Sequence, residues 1–319
     1  MKSPARRFTL LMLAMSLIVV GAAALLNWRV DPYERFGNNH LGIYVTADRE
    51  VKAAEVTRYP HNALYVGNSR MHVIQASQLK GFRFFNGGFA AATLEEIYWY
   101  LHRYAHGLEL VVIGIDLGMD NPAEGDTAAL RGDIFSGESW AANAEHLVNL
   151  QTTILSFKTL FRHRAHKPGE YLPDGSTREE DWGNATRPDD PSAGKPLMDQ
   201  YKNYIASALL NPVPRLTYLR KIADTLRERK ILCVAIVPPV HEEVMRHVES
   251  LHLQRGRQVW TEAVRTIFPD LIDLSSSPYG AARNCFAKDP IHYKAAVGAA
   301  FMNAEVLPFA MKALGKRLE

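Results

Sequence analysis

Between Ala63 and Leu274 the chain repeats one pattern: a short, unbroken apolar run, closed by glycine, proline or polar turn residues. Ala63-Leu64-Tyr65-Val66 ends at Gly67, and Phe82 to Phe85 ends at Asn86-Gly87-Gly88. Leu108 to Ile115 ends at Asp116, Ile231 to Val237 is stopped by Pro238-Pro239, and Leu271 to Leu274 by a serine run. Runs without polar alternation fit strands buried on both faces. Helical periodicity lies between them. Thr93 to His106 opens on a capping threonine with Glu95 and Glu96 in its first turn. Pro214 to Arg229 is a second such segment. Asp289 to Leu307 reads as a last helix, with Tyr293, Val297, Ala300 and Phe301 at core spacing. Strands alternating with helices predict an α/β fold of three layers, α/β/α, around a central parallel sheet.

Two stretches break the pattern. From about Pro122 to Asn211 no strand rhythm is visible, which predicts an insertion between the third and fourth strands. Within it Lys167 to Lys195 is rich in Pro, Gly, Asp and Arg. It reads either as a lid or substrate-binding loop or as a disordered surface loop. At the N-terminus, Lys2, Arg6 and Arg7 precede an uncharged run from Phe8 to Leu26. Positive charge before a run of that length predicts a transmembrane helix with its N-terminus in the cytoplasm. A cleaved signal peptide is the alternative, with Gly21-Ala22-Ala23-Ala24 near a cleavage point. The run is long for a signal peptide, so residues 1–28 are expected to be a cytoplasmic stub and anchor, and residues 29–319 an exported domain.

Composition narrows the classes further. Of 319 residues, 47% are hydrophobic and 22% charged, a globular balance. The net charge of +3 is slight and its basic residues are scattered, so no nucleic-acid partner is expected. Two cysteines, Cys233 and Cys285, make no disulfide framework, and Cys233 sits within an apolar run that suits a buried, inert thiol.

The chemistry concentrates in two peptides, Val66-Gly67-Asn68-Ser69-Arg70 and Asp289-Pro290-Ile291-His292. In an open parallel sheet, ligands bind beyond the carboxyl ends of the strands, where Ser69, Gly87-Gly88 and Asp116 are all expected. A serine, an imidazole and a carboxylate are the parts that activate a weak hydroxyl. His72 is closer in sequence but one helical turn on, and is expected to point elsewhere. Other candidates are weaker. His163 and His166, with Arg162, Arg164 and Lys167, read as a solvated or lipid-headgroup-facing basic stretch, because two histidines without a carboxylate make a poor metal set. His241-Glu242-Glu243 reads as a loop at the mouth of the fourth strand.

The order serine, aspartate, histidine, with the last two as D-x-x-H, resembles the SGNH/GDSL hydrolase family from about Ala63 to Phe301. The resemblance implies a flavodoxin-like arrangement with Ser69 as nucleophile, His292 as base and Asp289 as its orienting acid. It also implies an oxyanion hole with a backbone N–H from the turn Asn86 to Ala91, at Gly88 or Ala91. The first block reads Gly67-Asn68-Ser69 where the family has G-D-S. The third, usually G-x-N-D, is replaced by Gly114-Ile115-Asp116-Leu117, with Asn121 further along. Asp116 would repel an oxyanion unless protonated or turned away. Arg70 is expected either beside an anionic substrate group or in a structural ion pair.

A softer resemblance is to membrane-anchored members acting in polysaccharide O-acetylation or teichoic-acid D-alanylation. It implies a single-pass protein of a bacterial inner membrane facing the periplasm. The expected activity is ester hydrolysis or O-acyl transfer on an acylated carbohydrate or other ester, with a membrane-bound acyltransferase as partner. No metal or cofactor is required. The alternative is a catalytically silent SGNH-fold scaffold in a cell-envelope or polysaccharide-export complex.

Overall fold

The computed structural model describes residues 4–44, 48–117, 119, 140–178, 194–210, 212, 216–286 and 289–316. They group into two compact units: residues of 1–54 with those of 137–171, and residues of 55–136 with those of 172–319. The segment expected as one insertion, 122–211, is therefore divided between them.

In the first unit, α1 (Pro4–Val30) carries an 18-residue window of mean hydropathy 2.5, none of it buried. It is long and apolar enough to cross a membrane, a description a signal sequence also meets. Helix α2 (Asp48–Arg58) begins in this unit, which takes in its residues up to Ala54. Asn27, at the end of α1, is buried and gathers two later helices, α5 (Trp140–Val148) and α6 (Leu150–Arg164). Its amide donates to the Leu147 carbonyl at 2.8 Å and to Thr153 Oγ1 at 3.0 Å, and its oxygen accepts from Ser156 Oγ at 2.9 Å. Tyr33, Tyr44, Val51, Leu155 and Tyr171 form the small core of this unit.

In the second unit, five strands, β1 (Ala63–Gly67), β2 (Phe84–Gly88), β3 (Leu110–Gly114), β4 (Leu232–Val237) and β5 (Ile272–Asp273), make one sheet in the order β2-β1-β3-β4-β5. Every pairing is parallel. The chain starts at β1, steps outward to β2, then crosses back to β3, so the direction of winding reverses between β1 and β3. A crevice opens at that reversal, beyond the carboxyl ends of the strands. The helices α3 (Ser69–His72), α4 (Leu94–Tyr104), α7 (Lys195–Leu210), α8 (Leu216–Glu228), α9 (Glu242–Ser250), α10 (Gln254–Arg265), α11 (Ala295–Phe301) and α12 (Leu307–Ala313) complete the unit. Its core joins Tyr65, Phe84, Val112 and Ile236 of the sheet to Met71, Phe301 and Met302.

Two expectations are corrected. The second strand runs from Phe84 to Gly88, so Asn86-Gly87-Gly88 belong to it: Gly87 and Gly88 pair with Val66 and Gly67. A side chain at either glycine would be crowded, by Tyr100, Leu64 and Val66 at Gly87 and by the backbone of Met71 and His72 at Gly88. The last helix begins at Ala295, not Asp289. Before it, the Phe286 N–H donates to the His292 carbonyl at 3.1 Å and the Lys294 N–H to the Asn284 carbonyl at 2.9 Å. These bonds between the two arms of the loop compete with helical ones and leave Asp289 to Lys294 as a loop.

Candidate active site

Ser69 is the first residue of α3, a single turn laid against the ends of β2, β1 and β3. Three strand-end glycines make room for it. A Cβ on Gly67 would stand 2.4 Å from Met71 Cγ, and one on Gly114 2.3 Å from the same atom, so Met71 fills the space between β1 and β3. A Cβ on Gly88 would lie 2.7 Å from the His72 nitrogen, so β2 meets the backbone of α3 directly. Asn68 caps the turn, its side-chain oxygen accepting from the Arg70 N–H at 3.1 Å. Asn86 holds the other end: buried, it donates to the His72 and Ile74 carbonyls at 2.8 and 2.9 Å.

The histidine arrives from the loop after Cys285. His292 Nε2 lies 2.8 Å from Ser69 Oγ, and His292 Nδ1 lies 2.7 Å from Asp289 Oδ2. The three side chains form one hydrogen-bonded line, with the aspartate at the far end from the serine. In that order the carboxylate accepts a hydrogen bond from Nδ1–H and leaves Nε2 free to accept from the hydroxyl. Tyr293 anchors the loop to α3 through its hydroxyl, which donates to the Arg70 carbonyl at 2.5 Å.

Beside Ser69 is a buried ion pair. Arg70 Nη1 donates to Asp116 Oδ1 at 2.8 Å and to the Tyr201 hydroxyl at 3.2 Å, while Asn68 Nδ2 donates to the other Asp116 oxygen at 2.6 Å. Burial works against the Arg70 charge, but Asp116 and the neighbouring tyrosines outweigh it and raise the guanidinium above its ordinary value. Asp116 is thus a partner of Arg70 and Asn68, with neither oxygen turned to a developing anion. A carboxylate at position 68 would meet Asp116 at contact distance, whereas the Asn68 amide donates to it.

A cavity of ≈ 260 Å³ opens on the serine. Asn68, Ser69, Arg70 and Asp116 line one side, Ala91 and Ala92 another, and Leu197, Gln200, Tyr201 and Tyr204 of α7 the wall. With Arg70 neutralised by Asp116, no unpaired cation stands among the described lining residues. The expected oxyanion donors separate here. The Gly88 N–H donates to Asn86 Oδ1 at 2.9 Å, so Gly88 and Asn86 are structural, a correction that follows from their places inside β2. Ala91 faces the cavity with a left-handed φ of 49°. Among the described residues neither its N–H nor that of Ser69 has a hydrogen-bond acceptor. Asn121 lies outside the described residues, as do 120–139 and 179–193, which hold much of the expected insertion.

The remaining candidates sit apart from this line. His72 is buried on α3, and His241 caps α9, its Nδ1 accepting from the Glu243 N–H at 3.2 Å. Cys233 and Cys285 are free thiols, which burial pushes up to about 12 and about 11. The wall from α7 was not foreseen, although its spacing of i, i+3, i+4 and i+7 was available in the sequence. No protein-family model and no curated protein matches the chain.

Proposed function

We infer that this protein is a serine esterase or O-acyltransferase of the SGNH type. The observation that carries the reading is the continuous line Ser69, His292, Asp289, at 2.8 and 2.7 Å. Ser69 Oγ attacks an acyl carbonyl while His292 Nε2 takes its proton. The tetrahedral oxyanion is held by the N–H groups of Ser69 and Ala91. Collapse expels the first alcohol, protonated by His292, and leaves the acyl group on Ser69. Water or a second hydroxyl, activated by the same imidazole, then releases it. The silent-scaffold reading calls for His292 well out of reach of Ser69, and the 2.8 Å separation weighs against it.

A cavity of ≈ 260 Å³ suits a small acyl group, and the tyrosines and Gln200 on its wall suit a hydroxylated acceptor such as a carbohydrate. The parallel sheet is proposed to sit as the middle of three layers, and α1 to anchor the chain in a bacterial inner membrane with the second unit in the periplasm. A membrane-bound acyltransferase is the partner we propose, on the resemblance to polysaccharide O-acetylation proteins alone.

Labelling with a fluorophosphonate tests the reading. The full chain should label, and Ser69→Ala and His292→Ala should not, with the melting temperature of Ser69→Ala unchanged. Retention by Ser69→Ala of more than about a tenth of turnover, far above the residual left when a triad serine is lost, would remove Ser69 as nucleophile.

A further inference from the structure

Helix α6 is turned inside out for a protein in water. Its buried residues are Thr152, Leu155, Ser156 and Thr159, three of them hydroxylated. Its exposed residues include Leu150 at 74%, Ile154 at 46%, Phe157 at 60% and Phe161 at 71% exposure. Spaced at i, i+4, i+7 and i+11, these four form one stripe along the helix. A surface helix of a globular protein places such a stripe inward, and a contiguous exposed one marks a surface meant to be covered.

Two observations say what covers it. The first is continuity with α1. At about 1.5 Å per residue, a 27-residue helix is about 40 Å long. A hydrocarbon core is about 30 Å thick, so one end of α1 reaches the headgroups. Trp28 and Arg29 stand at its C-terminal end, residue types that favour that zone. Asn27, one residue earlier, is what holds α6, so the stripe starts at the interfacial level. The second observation is charge. Lys158, Arg162, His163, Arg164, His166 and Lys167 lie on or just after α6, with Arg162 paired to Glu170 at 2.8 Å. An apolar stripe flanked by cations suits a helix lying flat in the headgroup layer of an anionic bilayer.

We propose that α6 is an interfacial membrane helix, seated in anionic lipid through Leu150, Ile154, Phe157 and Phe161, and acting as a second foothold beside α1. The inference rests on α1 being a membrane anchor. The test uses the full chain carrying Cys233→Ser and Cys285→Ser, with single spin labels at the four stripe positions, at Gln151 and at Leu17 in α1. It is reconstituted in vesicles of phosphatidylcholine with phosphatidylglycerol, and circular dichroism checks the fold. Oxygen, which partitions into lipid, should relax the stripe labels more than a water-soluble nickel chelate does, with the reverse at Gln151. Omitting phosphatidylglycerol should move the stripe labels toward water. If Leu17 lies in lipid while the stripe labels meet nickel, the inference is overturned and the anchor stands. Stripe labels shielded from both reagents would also overturn it, assigning the stripe to a protein partner or a second copy. Nickel access at Leu17 as well would remove the anchor and the inference together.

Discussion

Neighbouring residues at the crevice have opposite duties. In the proposed function Ser69 supplies the chemistry, whereas Arg70 is buried and holds Asp116. Removing one member of a buried ion pair leaves the other uncompensated, at a cost of about 3–5 kcal/mol. Asp116→Asn is therefore expected to lower stability by about 3 kcal/mol, with fluorophosphonate labelling surviving wherever the protein stays folded. Denaturant titration beside that of Ser69→Ala measures the difference. Equal stability in the two variants would mean that the pair is not what holds the start of α3. The juxtaposition of Ser69, His292 and Asp289 was legible in the sequence because the proposed chemistry demands those side chains wherever the backbone goes. The role of Asp116 was not, because its partners come from across a strand crossing.

At the scale of elements, the position of α3 depends on what is missing from the strand ends. Gly88→Ala sets a methyl 2.7 Å from a backbone nitrogen, a neighbour that cannot rotate away. The turn must shift, and a catalytic group misplaced by about 1 Å can lose about a hundredfold in rate. We expect Gly88→Ala to slow fluorophosphonate labelling at least tenfold, a factor worth about 1.4 kcal/mol of barrier, and to lower the melting temperature. An unchanged rate would show that this contact does not place Ser69. Helix α9 carries a different sensitivity. Burial holds the His241 imidazole below its ordinary 6.5, and its neutral Nδ1 caps the helix. The unfolded chain takes up that proton first, so the contribution is complete above 6.5 and declines as pH falls below it. The decline is at most about 1.4 kcal/mol per pH unit for one group. Melting temperatures between neutral and mildly acidic pH should fall more for the native chain than for His241→Asn, which caps without titrating. The strands were legible as apolar runs, but β2 was read early because its glycines carry no hydrophobic signal. The inward face of α7 escaped notice because Leu197, Gln200, Tyr201 and Tyr204 become a wall only once the sheet stands behind them.

At the scale of the whole molecule, the amino-terminal helix and the alternation of strands were plain from composition and period alone. The gathering of residues 137–171 with the amino-terminal segment was not, because it depends on contacts such as those of Asn27 that no local pattern announces. One distance along the chain has its own meaning. Ser69 and His292 touch at 2.8 Å yet are 223 residues apart. A polypeptide still emerging from a ribosome, or only partly threaded through a translocon, holds Ser69 without its base and carries an ordinary, unreactive alcohol. On the proposed mechanism, reactivity is thereby deferred until the segment carrying His292 has been made. Nested carboxy-terminal truncations probed with the fluorophosphonate should stay dark when they stop at Phe286, and labelling should first appear in chains that include His292 and the helices packed behind it. A labelled short chain would mean that another group activates Ser69. On the proposed mechanism the chain comes with a clock: no ester is cleaved until the segment carrying His292 is in place.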